Sequence, residues 1–172
     1  MDKFDRILIP TDGSADANYA AKKGLSLAKK IHAKEVIALY VKDLSYLYNT
    51  PEDDTIFLIN SGLTEEGKKI LAEVKQAGQE IGVDVETLIV EGHPADEILN
   101  IAEDRNIDII VMGTLGRSGI SRLLMGSVAE KVTRHANCSV FIHPYRPEEV
   151  EDEEGGEQAS GEEEEEEEEE EQ

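Results

Sequence analysis

Three glycines and a serine in one short stretch have the types and spacing to hold an anion. Gly113-Thr-Leu-Gly116-Arg117-Ser118-Gly119 follows the apolar run Ile107 to Met112, and Gly126-Ser127 closes the segment. The apolar run reads as a buried strand, and Ser127 to about Ala136 reads as a helix. A helix start presents unpaired backbone N–H groups and the positive end of a dipole worth about half an elementary charge. Gly113 and Gly116 let the backbone approach a phosphate with no Cβ in the way, and the Ser127 hydroxyl is a further donor. Residues 113–135 carry Arg117, Arg122, Lys131 and Arg134 against Glu130 alone, a local charge of +3. Arg117 is the phosphate candidate among them; Lys131 and Arg134 read as a solvated helix face that offsets the C-terminal dipole. The pattern lacks the lysine of a Walker A loop and is not the dinucleotide fingerprint G-x-G-x-x-G, so the residues by themselves say only that an anion binds here.

The elements that must position this loop follow from hydrophobic pattern. Phe4 to Pro10, Glu35 to Val41, Val83 to Val90, Ile107 to Met112 and Ser139 to His143 are short apolar runs of buried-strand type. Between the first two, Ala17, Ala20, Ala21, Gly24, Leu25, Ala28 and Ile31 recur at three and four, a helix whose small side chains let it lie close on a sheet. Ile70, Leu71, Val74, Ala77 and Ile81 predict a helix over 64–81, and Ala95, Ile98, Leu99 and Ala102 one over 94–105. Strands alternating with helices predict an α/β fold, a single doubly wound, Rossmann-like sheet of five parallel strands sandwiched by helices. The connection from Lys42 to Gly62 is too apolar for a plain linker. It reads as a loop covering the sheet or a neighbouring subunit, in preference to a substrate lid.

In such a sheet, ligands bind outside the carboxyl ends of the strands, where strand order reverses. Strand one delivers Pro10-Thr11-Asp12-Gly13-Ser14 to that edge, strand two ends at Val41-Lys42, and strand four delivers the glycine loop. Asp12 beside a polyphosphate has work to do only through a divalent cation; it also has the chemistry of a cap for the first helix, and the two roles are compatible.

Gly113-x-x-Gly116, nine residues, then Gly126-Ser127 resembles the G-2x-G-9x-G-(S/T) nucleotide motif of the universal stress protein family. The resemblance extends over residues 1 to about 146. It takes in Ile-Leu-Ile-Pro-Thr-Asp-Gly-Ser14, Glu91-Gly-His-Pro-Ala-Asp-Glu-Ile98, Asp108-Ile-Ile-Val-Met-Gly-Thr114, Leu124 to Val132 and His135 to Val140. It implies the adenine nucleotide alpha-hydrolase-like form of the fold. It also implies an ATP site built from Pro10, Thr11, Asp12, Val41, Met112, Gly113, Thr114, Gly116, Arg117, Ser118, Gly119, Gly126, Ser127 and Val128. Adenine would lie near Val41, the phosphates on the glycine loop, Ser127 and Val128, and Mg2+ or Mn2+ at Asp12. A homodimer through the last strand, Ser139 to His143, is implied as well, and agrees with the apolar character of that edge. The chain departs from the family pattern at Leu115, where many members have a polar residue, and at Asn137, where many have Pro.

The formal charge of −22 is concentrated in one place: residues 148–172 hold 17 acidic residues and no Lys or Arg, ending in ten glutamates from Glu162 to Glu171. That density of like charge predicts a disordered polyglutamate tail after a nucleotide-binding domain of residues 1–147, which carries only −5. The acidic tail is a solubilising segment or a handle for basic protein partners, and its charge argues against nucleic-acid binding. Cys138 is the one cysteine, so no disulfide or zinc framework is available, and His32, His93, His135 and His143 lack metal-ligand spacing. With no run of about 20 apolar residues and no signal-like start, a cytoplasmic location away from membranes is expected. The function expected is an ATP-binding regulatory switch of the stress response, a homodimer with weak ATPase activity at most. The alternatives are a nucleotide hydrolase or adenylyl-transferring enzyme of the same fold, and an adaptor that binds no nucleotide and works through its tail.

Overall fold

The computed structural model describes residues 4–44, 53–115 and 125–144. Their elements run β1 (Arg6–Pro10), α1 (Ala15–Ile31), β2 (Glu35–Lys42), α2 (Asp53–Glu80), β3 (Glu86–Glu91), α3 (Pro94–Asp104), β4 (Ile109–Gly113), α4 (Ser127–His135) and β5 (Ser139–His143). The strands form one sheet in the order β3-β2-β1-β4-β5, with every neighbouring pair parallel. This is the doubly wound α/β architecture the pattern predicted.

Alternation along the strands decides which helix covers which face. Ile7, Ile9, Val36, Ala38, Tyr40, Ile109 and Val111 point to one side and meet α1 through Ala21, Leu25 and Ala28 and α2 through Ile70, Leu71 and Val74. Leu8, Ile37, Leu39, Ile110 and Met112 point to the other and meet α3 through Ala95, Ile98 and Ala102 and α4 through Ala129 and Val132. Both faces are therefore buried, which is why the central strands read as continuous apolar runs. Gly24 brings α1 close to the sheet: a Cβ there would stand 3.0 Å from Ile9 Cδ1.

Two element starts differ from the sequence reading by three residues or more. Helix α2 begins at Asp53, well inside the connection read as a loop, and carries Ile56 and Ile59 half-buried with Phe57 and Leu58 exposed. The run of four apolar residues concealed the helical period, because two of them face solvent. Tyr46, Leu47 and Tyr48 lie outside the described residues. Strand β3 starts at Glu86 and not at Val83; Val85, nearly fully buried, packs with the α1 and α2 cluster before the strand pairs with β2.

The amino end of the sheet is tied by charge. Arg105, after α3, donates to Glu35 at 2.8 Å and to Glu86 at 2.6 Å, joining β2 to β3, and the Asp108 carboxylate accepts from the backbone N–H groups of Asp5 and Arg6. Hydrogen bonds from Arg105 to Glu86 and then Glu35 raise the guanidinium further above its ordinary value.

Candidate functional site

The reversal of strand order falls between β1 and β4. These two strands pair only at Ile7 with Ile109 and Leu8 with Ile110, although β1 runs on to Pro10 and β4 to Gly113. Pro10 has no N–H to give a neighbouring strand, and the carboxyl ends part. A cavity of about 330 Å³ opens there, a volume suited to a small organic ligand. Its wall takes Pro10, Thr11 and Asp12 from the end of β1, Ala17 from α1, Leu39 and Val41 from β2, and Pro94 and Ile98 from α3. Met112, Gly113, Thr114 and Leu115 of β4 and its continuation and Gly126, Ser127, Val128 and Ala129 at the start of α4 complete it.

Ten of the residues carried over from the family motif thus border one cavity: Pro10, Thr11, Asp12, Val41, Met112, Gly113, Thr114, Gly126, Ser127 and Val128. Gly116, Arg117, Ser118 and Gly119 lie outside the described residues, as does Arg122. Sequence reasoning missed Ala17, Leu39, Pro94, Ile98 and Ala129, which supply apolar wall, and Asp16, which holds the loop from behind.

The floor is built by local hydrogen bonds. Thr11 is buried and its N–H donates to the Leu39 carbonyl at 2.9 Å, while its Oγ1 accepts from Gly13 N–H at 3.2 Å. Gly13 has φ +78, a conformation that favours glycine, and a Cβ there would come 2.6 Å from Ile70 Cδ1 and oblige that side chain to shift. Asp12 Oδ1 accepts from Ser14 N–H at 3.0 Å. The cap of α1 is Ser14, whose Oγ accepts from Ala17 N–H at 3.2 Å. The capping role considered for Asp12 therefore belongs to Ser14, because a residue two positions before the cap turns its carboxylate onto the turn and not onto the helix.

At the opposite wall, Gly126 is the N-cap of α4 and has no side chain to cap it. The first backbone bond of that helix runs from Glu130 N–H to the Gly126 carbonyl at 2.9 Å, so the N–H groups of Ser127, Val128 and Ala129 precede any intrahelical acceptor and stand at the cavity wall. Gly126 N–H donates to the Thr114 carbonyl at 2.8 Å. Asp16, in the first turn of α1 and 8% exposed, accepts from Leu115 N–H at 2.7 Å and from Thr114 Oγ1 at 3.2 Å.

The two cations on α4 face outward. Lys131 pairs with Asp96 of α3 and Arg134 with Glu130 at 2.7 Å. The hydrogen bond from Lys131, more than any other cause, holds the Asp96 carboxyl below its ordinary value. Among the described residues no cluster of three or more His, Cys, Asp or Glu is arranged to hold a metal ion by protein ligands alone. One carboxylate, Asp12, with the Thr11 hydroxyl beside it at the cavity wall, is the donor set that suits Mg2+ or Mn2+ shared with phosphate oxygens and water. No helix among the described residues is long and apolar enough to cross a membrane.

A doubly wound parallel sheet with a helix start and a glycine turn at its switch point defines a class, the α/β folds that bind ligands at the carboxyl edge. Comparison with known proteins narrows it. The universal stress protein family profile matches residues 3–144, and the chain belongs to that family. It is 44% identical over 139 residues to universal stress protein MJ0531 of Methanocaldococcus jannaschii, covering 81% of each chain. The solved structure of MJ0577, from the same organism, is 33% identical with a TM-score of 0.73, over 84% of this chain and 99% of that one. UspA from Lactobacillus plantarum is 26% identical with a TM-score of 0.76, over 83% and 99%. Two more distant universal stress proteins that share the fold, at 23% and 21% identity, were solved in complex with cAMP and with dAMP.

Proposed function

We propose that this chain binds ATP at the β1/β4 crevice and acts as a nucleotide-dependent regulatory homodimer. The observation that carries the reading is the meeting, in one cavity, of Val41 and Ile98 as apolar wall, the uncapped start of α4, and the Asp12 carboxylate. An aromatic base suits the apolar end, and phosphates suit the N–H groups of Ser127, Val128 and Ala129. The fold accommodates adenine nucleotides in the chains solved with cAMP and dAMP.

In this reading each part of the chain has one task. Val41 and Ile98 exclude water from the base, Gly126 keeps the helix start clear of any side chain, and Asp12 orients a divalent cation that neutralises phosphate charge. The described cavity wall has Asp12 as its one titratable side chain, and as a cation ligand Asp12 is poorly placed to serve as a general base, so binding with slow or absent turnover is favoured. Strand β5 leaves Phe141 43% exposed on the outer edge of the sheet, which supports pairing with a second copy through Ser139 to His143. The domain boundary near residue 147 and the acidic tail as a contact for basic partners are part of the same proposal.

The test is direct. Protein purified from its native host under non-denaturing conditions is expected to release ATP on acid extraction, and calorimetry with MgATP is expected to give one site per chain. A Val41→Trp variant should fold and bind none. Failure of the wild type to bind added MgATP would falsify the reading, and turnover at about 1 per second or faster would transfer the protein to the hydrolase alternative.

A further inference from the structure

Among the described elements, α1 is the most basic. It carries Lys22, Lys23, Lys29 and Lys30 against Asp16 alone, and Asp16 is buried. Helices α2 and α3 hold more acid than base, and on α4 Lys131 and Arg134 are each paired with a carboxylate. Lys23 is occupied, its ammonium 5.0 Å from the centre of the Tyr19 ring, and Lys34 beyond the helix pairs with Asp5. Lys22, Lys29 and Lys30 are exposed, and no carboxylate among the described residues pairs with them.

Spacing makes these three lysines one surface. Seven residues are close to two helical turns, so Lys22 and Lys29 share a face about 10 Å apart along the axis, with Lys30 beside Lys29. The other side of the helix, with Gly24 and Ala28, lies on the sheet. Lys29 and Lys30 stand in the last turn, where the helix dipole offsets about half an elementary charge, so most of the positive charge remains.

The chain carries a complement to this face. Residues 148–172 hold 17 acidic residues and no Lys or Arg. Strand β5 ends at His143, in register with Gly113 at the carboxyl edge, and α1 leaves the same edge after Ser14 and packs on β4 and β5. Fully extended, the 25 residues of the tail reach about 80–90 Å. The whole of α1 is about 25 Å long. The chain therefore leaves β5 on the edge where α1 begins, with length to spare to cover that helix. Tethering holds the carboxylates at an effective concentration of about millimolar, so contacts that are weak one by one act together.

We propose that the face of α1 formed by Lys22, Lys29 and Lys30 is the seat of the chain's own acidic tail, residues 148–172. While the tail sits there, acidic segments of other proteins are excluded from α1, and a basic partner that captures the tail uncovers the face. The proposal is independent of the nucleotide reading.

The test uses the full chain and a variant in which Glu162 to Glu171 are replaced by serine. Amine acetylation followed lysine by lysine at about 0.01 M salt, where the Debye length is about 30 Å, reads the contact directly. Lys22, Lys29 and Lys30 are expected to react about threefold to tenfold more slowly in the wild type than in the serine variant, because a paired ammonium holds its proton. Lys69 and Lys75 of α2 serve as the reference and should differ by less than about twofold. The protection should vanish at about 1 M salt, where the Debye length is about 3 Å. Zero-length carbodiimide coupling should join tail glutamates to Lys22, Lys29 or Lys30 within one chain, as mixed 14N and 15N protein shows by same-isotope products. A Lys22→Gln, Lys29→Gln, Lys30→Gln variant should have a larger radius of gyration by X-ray scattering at low salt than the wild type. Equal acetylation in wild type and serine variant overturns the proposal, as does protection spread evenly over α1 and α2. Mixed-isotope products would place the tail on another copy and overturn the assignment to its own chain. An unchanged radius in the triple variant, with the α1 lysines unprotected in the wild type, would overturn the α1 seat in favour of the stretch around Arg117 and Arg122.

Discussion

The backbone N–H of Gly126 donates to the carbonyl of Thr114 at 2.8 Å, so the chain that departs at the end of β4 returns to the start of α4 through a hydrogen-bonded neck. Asp16 holds Leu115 on one side of that neck, and α4 begins on the other. Gly126 has φ −64, the value to which proline is confined, so Gly126→Pro deletes the N–H while keeping the local backbone angle. Loss of that one bond should cost about 0.5–1.5 kcal/mol of stability and lower MgATP affinity several-fold. Chemical denaturation and calorimetry read the two effects; full affinity in the proline variant would show that the neck does not matter to the site.

Gly113→Ala should be more damaging than its single methyl implies. The new Cβ meets the Asp16 carboxylate and the α1 backbone carbonyl, neither of which can retreat without losing hydrogen bonds. Overpacking of this kind costs about 1–3 kcal/mol. Urea denaturation should give a lower midpoint with an unchanged slope, and a variant as stable as wild type would contradict the close approach of α1 to β4.

The Asp96 to Lys131 pair joins α3 to α4 across the outer side of the cavity, and its pH behaviour has a definite sign. Because the Lys131 hydrogen bond lowers the folded-state pKa of Asp96, its contribution is present above the ordinary carboxylate pKa of about 3.9 and is lost as pH falls through the lowered value. Carboxyl chemical shifts should show Asp96 titrating below the ordinary range in the wild type and returning toward it in Lys131→Met. Both groups are well exposed to solvent, so the effect on melting temperature should be small at neutral pH.

Deleting residues 148–172 removes 17 of the acidic residues and none of those in the two core clusters. The melting temperature of the remaining chain is expected to stay within about a degree of full length. If the tail competes with phosphates for the basic stretch around Arg117 and Arg122, the truncated chain should bind ATP more tightly at low salt. That advantage should fade once the Debye length falls below about 10 Å. Equal affinity at low salt in both forms would leave the tail as a solubilising segment or a handle for basic partners.

Hydrophobic period and glycine spacing determined much of this protein in the sequence itself. The order of strands and helices and the burial of both sheet faces follow from residues close together in the chain. The alternation of Ile7, Leu8 and Ile9 or the spacing of Ala21, Leu25 and Ala28 reports local geometry, and local geometry is what a pattern can encode. Where the pattern was masked, at Ile56 to Ile59, the reading missed the first turns of α2.

Only the tertiary structure decided which partners the polar groups take. Asp12 and Ser14 are two residues apart and both have capping chemistry; the turn at Gly13, with φ +78, gives the cap to Ser14 and leaves Asp12 at the cavity. Asp16 is an acidic residue in the first turn of α1, and nothing near it in the chain distinguishes it. Its role comes into being when β4 is laid beside β1, bringing Thr114 and Leu115 to it from 98 and 99 residues away. A hydrogen bond depends on distance and direction in space, and only the folded sheet supplies them.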